Sequence, residues 1–202
     1  MVDMITRLRA IIDELQAEIE QEIEEKRKNF RYRLERRIVV FEQDAIEQHR
    51  KMRLKFLSFL RNSRVIVILT APLIYLQIIP IFFMDVFATL YQQTCFRVYG
   101  IPRVKRSEFV IMDRKYLVYL NLIEKVNCMY CEYANGVVSY VQEIASRTEQ
   151  YWCPIKHARK MKHPHDRYFE FLEYGDAEGF RNSLEKQRES CRACEDFRSC
   201  DK

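Results

Sequence analysis

Residues 65–91 read VIVILTAPLIYLQIIPIFFMDVFATLY, an apolar run whose only charge is Asp85. As one continuous helix it would reach roughly 40 Å, more than the ~30 Å hydrocarbon core of a bilayer. Pro72 and Pro80 each remove a backbone donor inside it, and Gln77 lies between them to satisfy freed groups. Arg50, Lys51, Arg53, Lys55, Arg61 and Arg64 precede the run, and Arg97, Arg103, Lys105 and Arg106 follow it. Positive charge collects on the cytoplasmic side of a membrane, so both ends prefer the same side. The expected element is therefore a re-entrant hairpin over residues 62–95, a monotopic anchor broken at the prolines. A kinked single span and a buried soluble segment are the alternatives. Asp85 is costly in hydrocarbon; the reading places it on the returning arm, reaching headgroup water, with a functional role as the alternative.

Working outward, the chain of 202 residues is 48% hydrophobic, and its mean hydropathy of −0.35 is soluble only because charged ends dilute the apolar middle. Four glycines and five prolines leave little material for hairpin turns, so the expected fold class is all-α. The net charge of +5 is concentrated beside the apolar run, which suits anionic lipid headgroups. No nucleic-acid motif accompanies it. Asp3, Arg7, Asp13 and Glu14 interrupt the first residues, so no export signal is read there.

Upstream, Ile5, Leu8, Ile12, Leu15 and Ile19 recur at alternating spacings of three and four, the pattern of a coiled-coil seam. Ile23, Phe30, Leu34, Ile38 and Phe41 continue it less regularly. An acidic block from Asp13 to Glu25 precedes a basic block from Lys26 to Arg37, so neighbouring copies match charge. Residues 1–61 are thus expected to form an amphipathic helical rod that makes the protein a homo-oligomer, with packing on the protein's own later helices as the alternative. Residues 52–64, MRLKFLSFLRNSR, read as a basic, apolar-rich segment that lies against the membrane surface.

Downstream, residues 96–202 are expected to form a small Cys/His-rich helical domain, entered through a loop at Gly100 and Pro102. Asp113 reads as the cap of a helix, and Asn135-Gly136 as the turn that ends the next stretch. Cys128, Cys131, Cys153 and His157 then form C-x2-C-x21-C-x3-H. With Pro154 in a first turn, Cys153 opens a helix and His157 shares its face. Four such ligands from two elements suit tetrahedral Zn2+, and the thiolates also admit a 4Fe-4S cluster. Cys191, Cys194, Cys200, His163 and His165 supply a possible second metal site. A redox dithiol and plain burial are the competing readings of these cysteines, and Cys95 reads as buried. An odd cysteine count of seven disfavours a full set of disulfides. Short helices are expected after Asp166 and Asp176, with Gly175 between them.

NCMYCEYANG with YWCPIKHA, preceded by YGIPRV and an apolar run, resembles a group of uncharacterised bacterial membrane-associated proteins over roughly residues 64–160. The resemblance implies a bacterial source and a membrane location, and brings no activity with it.

Three functions follow as expectations. The first is a scaffold or interaction module anchored on the cytoplasmic face of the bacterial inner membrane, with a closed structural zinc site that leaves no position for substrate. The second is an iron-sulfur redox protein exchanging electrons with a membrane partner or quinone. An enzyme acting on lipids ranks last, because Asp85, Asp113, His163, His165 and Asp166 make no nucleophile-base pair at an interpretable spacing. No protein partner is identified by the residues.

Overall fold

The computed structural model describes residues 2–35, 38–53 and 64–193, with residues 2–9 and 67 described by their backbone alone. Helix accounts for 71% of the structure, and one small two-stranded sheet is the exception to the all-α expectation. The chain divides into two compact units, one from Met1–Asn62 with Asp113–Val126, the other from Ser63–Met112 with Asn127–Lys202. The first break, between Asn62 and Ser63, falls next to the expected boundary at 61, whereas no break falls at 95: the apolar run shares a unit with most of the cysteine-rich region, and residues 113–126 group with the N-terminal region.

In the first unit, α1 (Val2–Asn29) carries the expected apolar stripe, with Ile12, Leu15 and Ile19 about half exposed. The rod then stops. Arg31 takes a left-handed conformation at φ 54, and the chain turns into an antiparallel hairpin of β1 (Tyr32–Glu35) and β2 (Ile38–Phe41). Leu34, Ile38 and Phe41 thus lie on strands and not on a helical seam, with Leu34 opposite Val39 and Tyr32 opposite Phe41. The β-branched Ile38-Val39-Val40 run favours a pleated surface over a helix. After α2 (Gln43–Lys51), His49 meets Phe41 and Tyr119 edge-on at ring distances of 5.5 Å. The expected surface segment at residues 52–64 lies mostly outside the described residues.

In the second unit, α3 (Val65–Leu76) and α4 (Ile78–Tyr91) follow one another without a reversal. Gln77 keeps right-handed helical angles, φ −63 and ψ −15, and its N–H reaches back to Ile74 at 3.2 Å. Residues Ile68–Tyr99 form one run of helix, the single helix among the described residues long and apolar enough to cross a membrane. The expected dip and return at the prolines is absent here. A proline removes one ladder hydrogen bond and bends a helix, whereas reversal needs turn-forming residues, and the run contains no glycine.

A π-helical turn at Gln92–Phe96 then rotates Gln92 and Phe96 inward, and both are buried. After α5 (Arg97–Tyr99), Gly100 adopts φ 71 and the Ile101 N–H bonds the Phe96 carbonyl at 2.9 Å, which ends the helix as a left-handed glycine cap. The following loop, which includes the short α6 (Arg106–Phe109), folds back over the helices.

The long α7 (Leu122–Trp152) dominates this half of the chain. Asp113 is not its cap. Asn121 caps it instead: the Glu124 N–H donates to Asn121 Oδ1 at 3.0 Å, and the Asn121 N–H donates to Glu124 Oε2 at 2.8 Å. Asn135-Gly136 forms no turn but sits inside α7, because Gly136 leaves room for a crossing backbone. A Cβ there would lie 2.8 Å from the Phe109 carbonyl oxygen. Cys153 likewise ends α7 rather than starting a new helix. Residues 154–156 pair with Leu172, whose N–H donates to the Pro154 carbonyl at 2.9 Å. Asp166–Glu170 is a 3-10 turn. Asp176, after Gly175 at φ 91, caps α8 (Ala177–Ala193) as expected, accepting from the Gly179 N–H at 2.8 Å. The core gathers Phe96, Ile101, Val104, Tyr140, Ile144, Tyr151 and Cys191 where α4, α7, α8 and the loop meet.

Candidate functional site

The most strongly organised polar groups of the second unit lie where α7 packs along the apolar helix. Tyr75 donates to Asn127 Oδ1, Tyr133 to Asp85, and the Tyr91 and Thr148 hydroxyls meet at 3.1 Å, so the two helices run side by side in the same direction. Asp85 is enclosed by protein groups. It is buried, and Arg106 donates to it from Nε at 3.0 Å and from Nη2 at 2.7 Å, while the Tyr133 hydroxyl donates at 3.0 Å. Both oxygens are thereby engaged, as a buried carboxylate requires. The group acts as a clamp that ties the loop carrying Arg106 to α4 and α7.

About two helical turns further on, Gln92 clasps the same loop. Its Oε1 accepts from the Val104 N–H at 2.9 Å and its Nε2 donates to the Val104 carbonyl at 3.3 Å and to the Tyr140 hydroxyl. The Tyr140 hydroxyl also meets Thr89 Oγ1 at 3.2 Å. A third cluster lies deeper, where Glu143 accepts from Arg147 Nε at 2.8 Å and from Arg167 Nη2 at 2.9 Å. Arg147 also donates to the Pro102 carbonyl at 2.7 Å and Arg167 to Gln150 at 3.1 Å. Burial pushes the Glu143 carboxyl up, but the two guanidinium groups outweigh burial and hold it below the usual carboxylate range. Beside these clusters, Met84, Phe87, Tyr91, Val141, Ala145 and Trp152 line an open apolar groove of ≈ 680 Å³ between α4 and α7.

The expected metal ligands are not brought together within one chain. Cys128 and Cys131 lie within α7 and Cys153 follows its last turn, so the helix rise separates Cys131 from Cys153 by about 33 Å. Cys153 is exposed, and the exposed His157 stacks on Tyr168 at a ring distance of 5.7 Å. His163 is exposed, and His165 Nε2 bonds Glu149 at 2.9 Å. Cys191 is buried on α8 with its thiol 3.6 Å from the Arg147 carbonyl, while Cys194 and Cys200 lie outside the described residues. Burial pushes the Cys191 thiol up, which keeps it protonated. No three His, Cys, Asp or Glu residues are placed to hold a metal ion among the described residues. Asp113 precedes a 3-10 turn at Arg114–Tyr116, and Asp166 begins the one at Asp166–Glu170.

Arg106, Tyr133, Gln92 and Tyr140 are the organising residues that the sequence reading passed over. The signal for Arg106 was available: a lone carboxylate in an apolar run demands a cation, and Arg106 stood among the flanking bases. Comparison of the chain with protein-family models, curated proteins and solved structures finds no match in any of the three.

Proposed function

We propose that this protein is a membrane-anchored scaffold, held on the cytoplasmic face of a bacterial inner membrane by its apolar helix and presenting its helical units to partners. The observation that carries the reading is the exposure of that helix. Val65, Leu69 and Leu73 are 71%, 70% and 72% exposed, and only 6% of its most apolar window is buried. Burying each such side chain is worth about 1.5–3 kcal/mol, so a row of them left in water is unstable and lipid is the natural cover. The exposed bases Arg64, Arg97, Arg103 and Lys105 near its ends fit anionic headgroups.

Packing of α7 along α4 supports entry from one side without a hairpin. Asn135, Ser139 and Gln142 are exposed on α7, so the α4 half is poorly suited to full immersion. The α3 half extends about 18 Å, roughly the depth of one leaflet. The exposed stripe of α1 supports recruitment of a partner helix as the scaffold's means of gathering other proteins. The separated cysteines give no support to a four-ligand zinc or iron-sulfur site within one chain.

Flotation of the purified full chain with vesicles containing anionic phospholipid tests the reading. Co-flotation that survives high salt is expected, since apolar insertion outlasts the screening of surface charge. A detergent-free chain that stays monodisperse and remains at the bottom of the gradient overturns it.

A further inference from the structure

The outward side of α7 carries a second regular stripe. Cys128, Cys131, Asn135, Val138, Gln142 and Ala145 recur at alternating spacings of three and four, the a and d positions of a coiled coil. The inward side of the same helix is already packed, with Val137, Tyr140 and Ile144 buried. The stripe is not: Val138 is 53% exposed, Cys131, Asn135, Gln142 and Ala145 are exposed, and Cys128 is half-buried. None of its six residues is charged. Exposed helix faces ordinarily carry charge, and its depletion marks the centre of protein interfaces.

We propose that a second copy of this chain packs in parallel along this stripe, and that Cys128 and Cys131 of the two copies together form one four-thiolate zinc site. Residues three apart on a helix lie side by side, with Cβ atoms about 5–6 Å apart, so the pair presents two thiols to one point. Two soft ligands are half of what a closed tetrahedral zinc site requires, and a two-fold axis supplies the other half from the same residues. Each cysteine gives up its proton on ligation, so zinc binding releases protons and strengthens as pH rises.

Asn135, at the next stripe position, supplies register. A single polar residue at such a position pairs with its own copy across the axis and disfavours slipped or antiparallel alternatives. Beside Ala145, the ≈ 680 Å³ groove between α4 and α7 offers a recess to the incoming helix. For the parallel sense alone the inference rests on the membrane reading, since only an axis along the membrane normal points both apolar helices into one bilayer.

The full chain purified in detergent with zinc as the only added metal tests this, independently of flotation. Elemental analysis with light scattering is expected to give dimers holding about 0.5 zinc per chain. Chelation should release monomers, and zinc should restore the dimer. Cys128→Ser and Cys131→Ser should each lose zinc and dimer with helical content unchanged, whereas Cys153→Ser combined with His157→Ala should change neither. Cobalt substitution of the unmutated chain adds a readout that needs no variant, because four thiolates give intense charge-transfer absorption. One zinc per chain, a zinc-free dimer, a monomer under all these conditions, or zinc retained in both serine variants overturns the proposal.

Discussion

Arg106 grips Asp85 with two donors across 21 residues of chain, Nε to Oδ1 at 3.0 Å and Nη2 to Oδ2 at 2.7 Å. The two partners are unequally placed: the Asp85 side chain is 10% exposed and that of Arg106 is 43% exposed. Arg106→Leu leaves a buried carboxylate without its cation, with only the Tyr133 and Thr89 hydroxyls beside it, and should cost about 3–5 kcal/mol. Asp85→Asn should cost clearly less, because the guanidinium can turn toward solvent and the amide oxygen still accepts from Tyr133. Denaturant titration of both variants in detergent measures the asymmetry, and equal costs would contradict this account.

Gly136 reverses the usual sign of a helix substitution. Glycine to alanine inside a helix normally stabilises by about 1 kcal/mol. Here the new Cβ would meet the Phe109 carbonyl oxygen at 2.8 Å and the Val110 Cα at 2.9 Å, both backbone atoms that cannot swing aside. Gly136→Ala should therefore lower stability by about 1–3 kcal/mol. A raised melting temperature would show that the loop does not cross α7 there.

Glu143 should contribute to the acid limb of stability. Its carboxyl is held below the ordinary value of 4.5 by Arg167 and Arg147 against the opposing effect of burial. A depressed folded pKa contributes stability that is fully present above the unfolded value and is lost as pH falls through the folded one. Melting temperature should thus decline as pH drops below about 4.5, and Glu143→Gln should be less stable at neutral pH with a shallower acid limb. Parallel pH profiles for the two proteins would remove Glu143 from this role.

The cysteines should separate by reactivity. Cys153 is exposed, whereas Cys191 is 1% exposed and its thiol is kept protonated by burial. Maleimide should modify Cys153 rapidly in the native protein and Cys191 only after unfolding. Cys153→Ser should leave the melting temperature unchanged, in contrast to what a structural metal ligand would do. Native labelling of Cys191 at the rate of Cys153 would mean that α8 does not seal against α7.

The parts legible in the sequence were those with strong local signals. The apolar stripe of α1 and the cap of α8 at Asp176, after Gly175, follow from neighbours within a few residues. The capping pair Asn121 and Glu124 was equally local, and Asp113 drew attention from it only by standing first. The hairpin was written in Ile38-Val39-Val40, but the preceding helical periodicity masked it.

Residues 65–91 show the division most clearly. Their composition alone determined an apolar helical segment, because side-chain chemistry and backbone propensity act locally, but the expected break at the prolines gave way to one helix that continues through Gln77. Whether Asn135-Gly136 turns, whether Cys131 reaches Cys153, and whether Asp85 meets water were decided elsewhere in the chain. Phe109 crosses at Gly136, Arg106 returns to Asp85, and Tyr133 and Tyr140 bond to the apolar helix and the groups clasped around it. These contacts join residues tens of positions apart, and the free energy of desolvating and pairing polar groups at such junctions outweighs local turn preference. Only the tertiary structure therefore turned an expected two-element metal domain into one uninterrupted helix packed along the apolar run.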